Sequence, residues 1–243
     1  MKTDAYKRQY HQNKNHWWFE GKKIILRKIL KKNLINTKKI LDYGCGVGIN
    51  LSMLSEFGKV YYYEKNKLAI NYVKKKYFNK KIFVNVTRLF KFKKKFDLII
   101  AADVIEHIKN DRKVIFKLSN LLKKDGHILI TVPAFQSLFS SKDLSLMHYR
   151  RYNKETLHKL LDKHFHIIKS TYFNFILFLP IAIVIFFFKI TNINFIEKVE
   201  KRPNFLINKL AFYFFVFESF LINKVNLPFG ISLLFFGKKK IND

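Results

Sequence analysis

Apolar and polar positions change period repeatedly along the chain. Short apolar runs rich in Ile, Val, Tyr and Phe fall near 39–43, 59–64, 81–86, 96–101, 126–132, 165–171 and 231–236, and these predict strands. Between them, apolar residues recur at three- and four-residue spacing near 20–32, 50–57, 66–77, 111–123 and 154–164, which predicts helices. Asn153 stands where it can cap the last of these. Strands alternating with helices in this way form an α/β fold, a parallel sheet covered on both faces. The 243 residues suit one such domain, 1–243, carrying an insertion.

The insertion is visible as a break in the alternation. From Phe175 to Phe188 fourteen residues carry no polar side chain, and after a polar gap a second apolar stretch runs from Leu210 to Ile222. A helix that spans a bilayer needs about 20 apolar residues. Extending the first run to Tyr172 and Ile190 reaches nineteen, but takes in Asn174 and Lys189. If Ile231–Gly237 completes the same sheet, the chain must return to the side it left, which excludes a single crossing. A double crossing would put Lys189, Lys198, Lys201 and Arg202 on the far side, against the retention of positive charge in the cytoplasm. Residues 173–225 therefore read as a monotopic or re-entrant helical hairpin, with lysines among the headgroups and Phe side chains in the acyl region. The alternative is an insertion packed on its own domain or on a second subunit.

The segment Lys39–Asn50, KILDYGCGVGIN, is the most specific in chemistry. A strand runs into a turn with glycine at 44, 46 and 48, where bare backbone and positive φ are both available to a nucleotide-like ligand. A helix starting near Gly48 would aim its N–H groups at the same turn. The dinucleotide fingerprint needs a third glycine at 49, which is Ile49, whereas D-x-G-x-G-x-G is complete with Asp42. The next strand ends in Glu64, a carboxylate placed to accept from both ribose hydroxyls.

With these residues, and with FDLIIAADVIEHI (Phe96–Ile108) and GHILITVP (Gly126–Pro133) following in order, the chain resembles the class I S-adenosylmethionine-dependent methyltransferases. The resemblance implies a Rossmann-like, doubly wound seven-stranded sheet, mostly parallel with an antiparallel last strand, and an apolar helical insertion before that strand. It implies S-adenosylmethionine as cofactor, held by Asp42, Gly44, Gly46, Gly48 and Glu64. Asn85 stands where the family often has an aspartate facing the adenine amino group, and Val86 and Ala102 complete the implied cofactor set.

Charge changes the picture little. The net charge of +30 would ordinarily point to nucleic acid or an anionic membrane. The lysines are spread through nearly every segment, however, and no RNA-binding signature accompanies them, so no nucleic-acid partner is expected. The single Cys45 cannot form an intramolecular disulfide and agrees with a reducing cytoplasm. The polar start, MKTDAYKRQY, has no apolar core of a secretory signal.

Methyl transfer to a hydroxyl needs a base near the carboxyl end of the fourth strand. Asp103, His107 and His148 are the catalytic candidates; His148 has Asp143 nearby to orient it, and His107 equally suits a packing role. In HYRRYN, Arg150 and Arg151 could contact a phosphate or carboxylate, and Tyr149 could line a sugar or headgroup site. A subgroup of the family pairs a motif resembling HYRRY with a stretch resembling HWWF, here His16–Phe19, and its members often neighbour surface-glycan or lipid-glycan genes. Trp17 and Trp18 thus either cap the cleft on the substrate side or anchor the first helix. Glu20 and Gly21 replace the basic residues usual after HWWF, and Lys22 and Lys23 can compensate. Asp103, Glu106 and His107 also resemble, as D-x-x-E-H, a metal cluster of quinone-pathway O-methyltransferases; many relatives carry the E-H pair without metal, and none is expected.

Three functions are open to this sequence. The first is O-methylation of a lipid-linked or amphiphilic acceptor by a peripheral or monotopic enzyme at the cytoplasmic face of a membrane. The second is a soluble small-molecule methyltransferase with the apolar hairpin as its lid. The third is a noncatalytic membrane-surface module of the same fold.

Overall fold

The computed structural model describes residues 6, 10, 16–34, 37–78, 83–92, 95–191 and 204–241. Its strands are β1 (Lys39–Tyr43), β2 (Lys59–Tyr63), β3 (Phe83–Asn85), β4 (Phe96–Ala102), β5 (Leu122–Pro133), β6 (Phe165–Phe173) and β7 (Ser232–Lys239). They form one seven-stranded sheet in the order β3-β2-β1-β4-β5-β7-β6. The neighbours from β3 to β5 pair in parallel, and β7 runs antiparallel to both β5 and β6. The expected Rossmann-like architecture, with an apolar helical segment before an antiparallel last strand, is the one observed.

The helices are α1 (Trp17–Asn33), α2 (Leu51–Leu54), α3 (Lys67–Lys76), α4 (Asp111–Leu121), α5 (Ser141–Ser145), α6 (Lys154–Leu161), α7 (Phe178–Thr191) and α8 (Phe205–Lys224). Asn153 caps α6, its side chain accepting from the Thr156 amide at 2.8 Å. Several boundaries differ from the sequence pattern, among them the start of α1 at Trp17 and the end of β7 at Lys239, and two differences change an element. The helix expected over 50–57 is the single turn α2, and β5 begins at Leu122, taking over the end of the helix expected over 111–123. Residues 81 and 82 of the expected third strand, most of the N-terminal MKTDAYKRQY, and Lys198, Lys201 and Arg202 lie outside the described residues.

Alternate side chains of each strand serve opposite layers, as a parallel sheet buried on both faces requires. Leu41, Ile99, Ala101, Ile130 and Phe235 pack with Ile115 and Leu118 of α4 and Leu157 and Leu161 of α6. Ile40, Val60, Leu98, Ile100 and Phe236 pack with Ile25, Leu26 and Ile29 of α1. Phe215 and Ile222 of α8 belong to this second core. The apolar segment is thus partly a structural layer of the domain.

Contact between α1 and α8 explains the aromatic start of α1. Trp17 and Trp18 both meet the Phe215 ring edge-on, at centroid distances of 5.5 and 5.7 Å, and Trp18 stacks on Phe173. The Trp17 amide donates to Asn208 Oδ1 at 3.0 Å. Gly21 lies against the same ring, where an added Cβ would stand 2.5 Å from Phe215 Cγ. Of the two roles open to Trp17 and Trp18, the geometry displays the anchor.

Candidate functional site

The site forms where the carboxyl ends of β1, β4 and β5 meet, because the parallel strands deliver their following loops to one edge of the sheet. All three glycines of the first loop have positive φ: 72° at Gly44, 53° at Gly46 and 77° at Gly48. A Cβ on Gly44 would lie 2.8 Å from the Val104 methyls, and one on Gly48 would lie 3.0 Å from Leu51 and Val73 side-chain carbons. At 44 and 48, glycine is therefore required by backbone conformation, as expected of the turn, and also by packing within the protein. The helix-dipole reading is corrected, since α2 is one turn long and has little dipole to offer.

Glu64 is locked to the loop. Its Oε2 accepts from the Gly46 amide at 3.0 Å, and its Oε1 accepts from the amides of Lys65 and Asn66 at 2.7 and 2.9 Å. The Tyr6 hydroxyl donates to the same Oε1 at 3.4 Å. These bonds fix the carboxylate beside the glycine turn, and Oε2, with a single donor, keeps a lone pair for a ligand. Asn85 ends β3 alongside Tyr62, and the Val86 amide donates to the Tyr62 carbonyl at 2.9 Å.

Asp42 is fully buried at the end of β1, and its Oδ2 has no hydrogen-bond partner. Burial, reinforced by the charge of Glu64, pushes its carboxyl up to about 7, against a smaller opposing pull from Lys22. An unpartnered buried carboxylate oxygen beside a glycine turn fits a cationic group such as the ammonium of an amino-acid ligand. The donor set thus fits the amino-acid and ribose ends of S-adenosylmethionine.

Beyond β4 the backbone turns sharply at Asp103, whose φ is 57°. Its amide donates to the Thr131 carbonyl at 2.9 Å, and its Oδ1 accepts from the Thr131 hydroxyl at 2.8 Å. Its other oxygen pairs with Lys22, a buried lysine of α1. In the sequence Lys22 reads only as a stand-in for the basic residues usual after HWWF. Its register with Ile25, Leu26 and Ile29 on the buried face of α1 was the signal that it points inward. Both oxygens of Asp103 are thus engaged within the protein, one by Thr131 and the other by Lys22.

The imidazoles lie together past the next turn. His148 Nδ1 is 2.8 Å from Asp143 Oδ1, and the His107 and His148 rings meet edge-on at 4.5 Å. Hydrogen bonds from His148 and Arg151, and the Arg151 charge, outweigh burial and hold the Asp143 carboxyl well below the usual range. Burial first, then the neighbouring His148, push His107 down to about 4, so it is neutral near pH 7. Glu106 is fully buried with neither oxygen partnered, and burial followed by the charge of Asp103 raises its pKa well above the ordinary value. Ligand atoms of Glu106, His107 and His148 lie within 4.8 Å of one another, a donor set compatible with a divalent cation. Asp103 belongs to Lys22 and Thr131, so the trio differs from the D-x-x-E-H grouping.

The arginines of HYRRYN are engaged with acids of the protein. Arg150 bonds Asp111 Oδ2 at 2.8 Å and the Lys109 carbonyl at 2.8 Å. Arg151 grips Asp143 through two bonds of 2.9 Å. Tyr152 donates to Asp111 at 2.8 Å, while Tyr149 is exposed beside the histidine pair, its amide donating to the Glu106 carbonyl. Contact of either guanidinium with an acceptor would require breaking a native ion pair.

Comparison with known proteins agrees with this geometry. The family model described as a methyltransferase domain matches residues 15–174. An uncharacterised protein of Methanocaldococcus jannaschii is 27% identical over 135 residues, covering 54% of this chain and 56% of that protein. A ubiquinone biosynthesis O-methyltransferase of Glaesserella parasuis is 30% identical over 118 residues, covering 42% and 48%. The chain spans about half the length of the curated relatives it matches. The N-methyltransferase NodS of Bradyrhizobium japonicum, solved with S-adenosyl-L-homocysteine, shares the fold with a TM-score of 0.54 at 14% identity, covering 88% of this chain and 83% of that one.

Proposed function

The chain belongs to the methyltransferase domain family, and on that premise we propose that it is an S-adenosylmethionine-dependent methyltransferase acting on an oxygen of a lipid-linked or otherwise amphiphilic acceptor at a membrane surface. The observation that carries the reading is the pairing, at one edge of the sheet, of the unpartnered Asp42 oxygen with the His148–Asp143 dyad. When bound, the cofactor supplies an electrophilic methyl group. Asp42 would offer its free oxygen to the ammonium, and Glu64, fixed by three backbone amides, would accept from a ribose hydroxyl at Oε2. On the acceptor side His148 takes the hydroxyl proton at Nε2, while Asp143 on Nδ1 holds the tautomer and stabilises the imidazolium. The amphiphilic acceptor is supported by the apolar surfaces of α7 and α8, which rise from the same domain.

The test feeds methyl-labelled S-adenosylmethionine and purified protein to a membrane extract. Label in an organic-extractable product is expected; label confined to a water-soluble product would support the lid reading instead. Cofactor binding without any labelled product would support the noncatalytic module. Binding that survives both Asp42→Ala and Glu64→Ala would overturn the site.

A further inference from the structure

We propose that the outward faces of α7 and α8 dock the protein, in the plane of the membrane, on a bilayer containing anionic lipid. The inference rests on the proposed function for its biological sense, and names the partner which that function leaves open.

The inward face of α8 is Ala211, Phe215, Glu218, Ser219 and Ile222, all buried. The opposite face is Leu206, Leu210, Tyr213, Phe217 and Phe220, at the same helical spacing and each more than half exposed. On α7, Ala182 and Ile185 pack near Leu138, while Leu179, Ile183, Phe187 and Ile190 are each more than half exposed. A water-facing helix of a globular protein carries polar residues on its outer side. Here both sides are apolar, so the outer side needs a cover.

Charge identifies that cover. The single acid on the two helices is Glu218, which is buried and faces inward, its Oε2 accepting from the amides of Phe175 and Ile176 at 2.8 and 3.4 Å. Lys189, Lys209 and Lys224 are exposed. At the end of α8, Lys32 bonds the Asn223 carbonyl and Lys169 bonds the Val225 carbonyl. An apolar strip with lysines and, among the described residues of the two helices, no exposed acid is complementary to an anionic headgroup layer above an acyl phase. It is not complementary to a second copy of itself, which would oppose lysine to lysine.

Depth follows from the inward face. α8 has twenty residues and the apolarity to cross a bilayer. Crossing would strip Phe215 and Ile222 from the second core and expose Gly21 and both tryptophans. The helix stays on its domain, and only the outer strip enters the lipid.

Vesicle flotation of the full chain tests this, with phosphatidylcholine vesicles against vesicles that also contain phosphatidylglycerol. Binding to the second set, reduced by high salt, is expected. Leu210→Glu with Phe217→Glu should abolish it, while Lys209→Gln and Lys224→Gln should each weaken it by roughly fivefold. Failure of the wild-type chain to float, or flotation of the double glutamate variant, overturns the proposal. So does a dimer, seen by light scattering, that masks the strip and does not dissociate on vesicles. Cofactor binding measured by calorimetry separates the two readings: a chain that floats but binds no cofactor sinks the methyltransferase site alone, and one that binds cofactor but does not float sinks the docking alone.

Discussion

Substituting Gly21 with alanine should separate two effects that oppose each other. In an isolated helix the change is favourable by about 1 kcal/mol, because glycine is the poorer helix former. In this protein the new methyl would lie 2.5 Å from Phe215 Cγ and 2.6 Å from its Cβ and Cδ1. Packed carbons sit about 3.5–4.0 Å apart, so α1 and α8 must separate by about 1 Å or the ring must turn. Phe215 is fully buried and ringed by Trp17, Trp18 and Phe173, which leaves it no space to turn. Overpacking of this kind costs about 1–3 kcal/mol. Gly21→Ala should therefore destabilise the native protein or leave it near neutral, and should stabilise by up to about 1 kcal/mol a Phe215→Gly background, in which the ring and the Cβ that stands 2.6 Å away are both removed. The difference, a coupling of about 1–3 kcal/mol, is read from a double-mutant cycle by denaturant unfolding. Equal stabilisation in both backgrounds would refute the crossing of α1 and α8 at Gly21.

Three further outcomes follow from the site. Asp42 titrates near 7, and a cationic ligand group favours its ionised form, so cofactor affinity should rise as pH rises through about 7; Asp42→Asn should bind weakly with a flat profile, measured by calorimetry between pH 6 and 8. Asp143→Asn should lower kcat by about 10²-fold or more with little change in cofactor affinity, because His148 loses the group that orients it; an unchanged kcat would remove His148 as the base. His107 has a depressed folded pKa, so the unfolded chain takes up a proton near its ordinary 6.5 that the folded protein refuses until about 4. Stability attributable to His107 should therefore be full above about 6.5 and fall as pH drops toward 4, and His107→Gln should flatten that limb of the unfolding curve.

Local signals carried most of the framework. The alternation of strand and helix, the D-x-G-x-G-x-G turn and the placement of Glu64 depend on neighbours within a few residues, and the structure has the strands where the pattern put them. What the sequence hid was partnership over long separations. Nothing in HYRRYN reveals that Arg150 belongs to Asp111 and Arg151 to Asp143, because a guanidinium has the same spacing rules for a native acid as for a ligand phosphate. The glycines are a related case. Their positive φ was legible from the turn, but the atoms that exclude a side chain at Gly44 belong to Val104, sixty residues on. The span of α8 was underestimated because Asn208 and Lys209 interrupt the apolar run; a helix tolerates them where Asn208 accepts from the Trp17 amide and Lys209 faces outward.

The two halves of the function share one helix. Successive residues on a helix point about 100° apart, and Gly21 and Lys22 use that angle to face different parts of the molecule. Gly21 rests on the Phe215 ring of α8, and Lys22 holds Asp103 at the edge of the sheet where Asp42 and Glu106 are also buried. A shift of α8 against α1 is thereby a shift of the buried cation against three carboxyl groups. The aromatic pair at 17 and 18 resists that shift, since both rings are wedged on Phe215. That is a physical reason for an aromatic start to α1: it fixes the distance between the apolar helix α8 and the acids at the edge of the sheet.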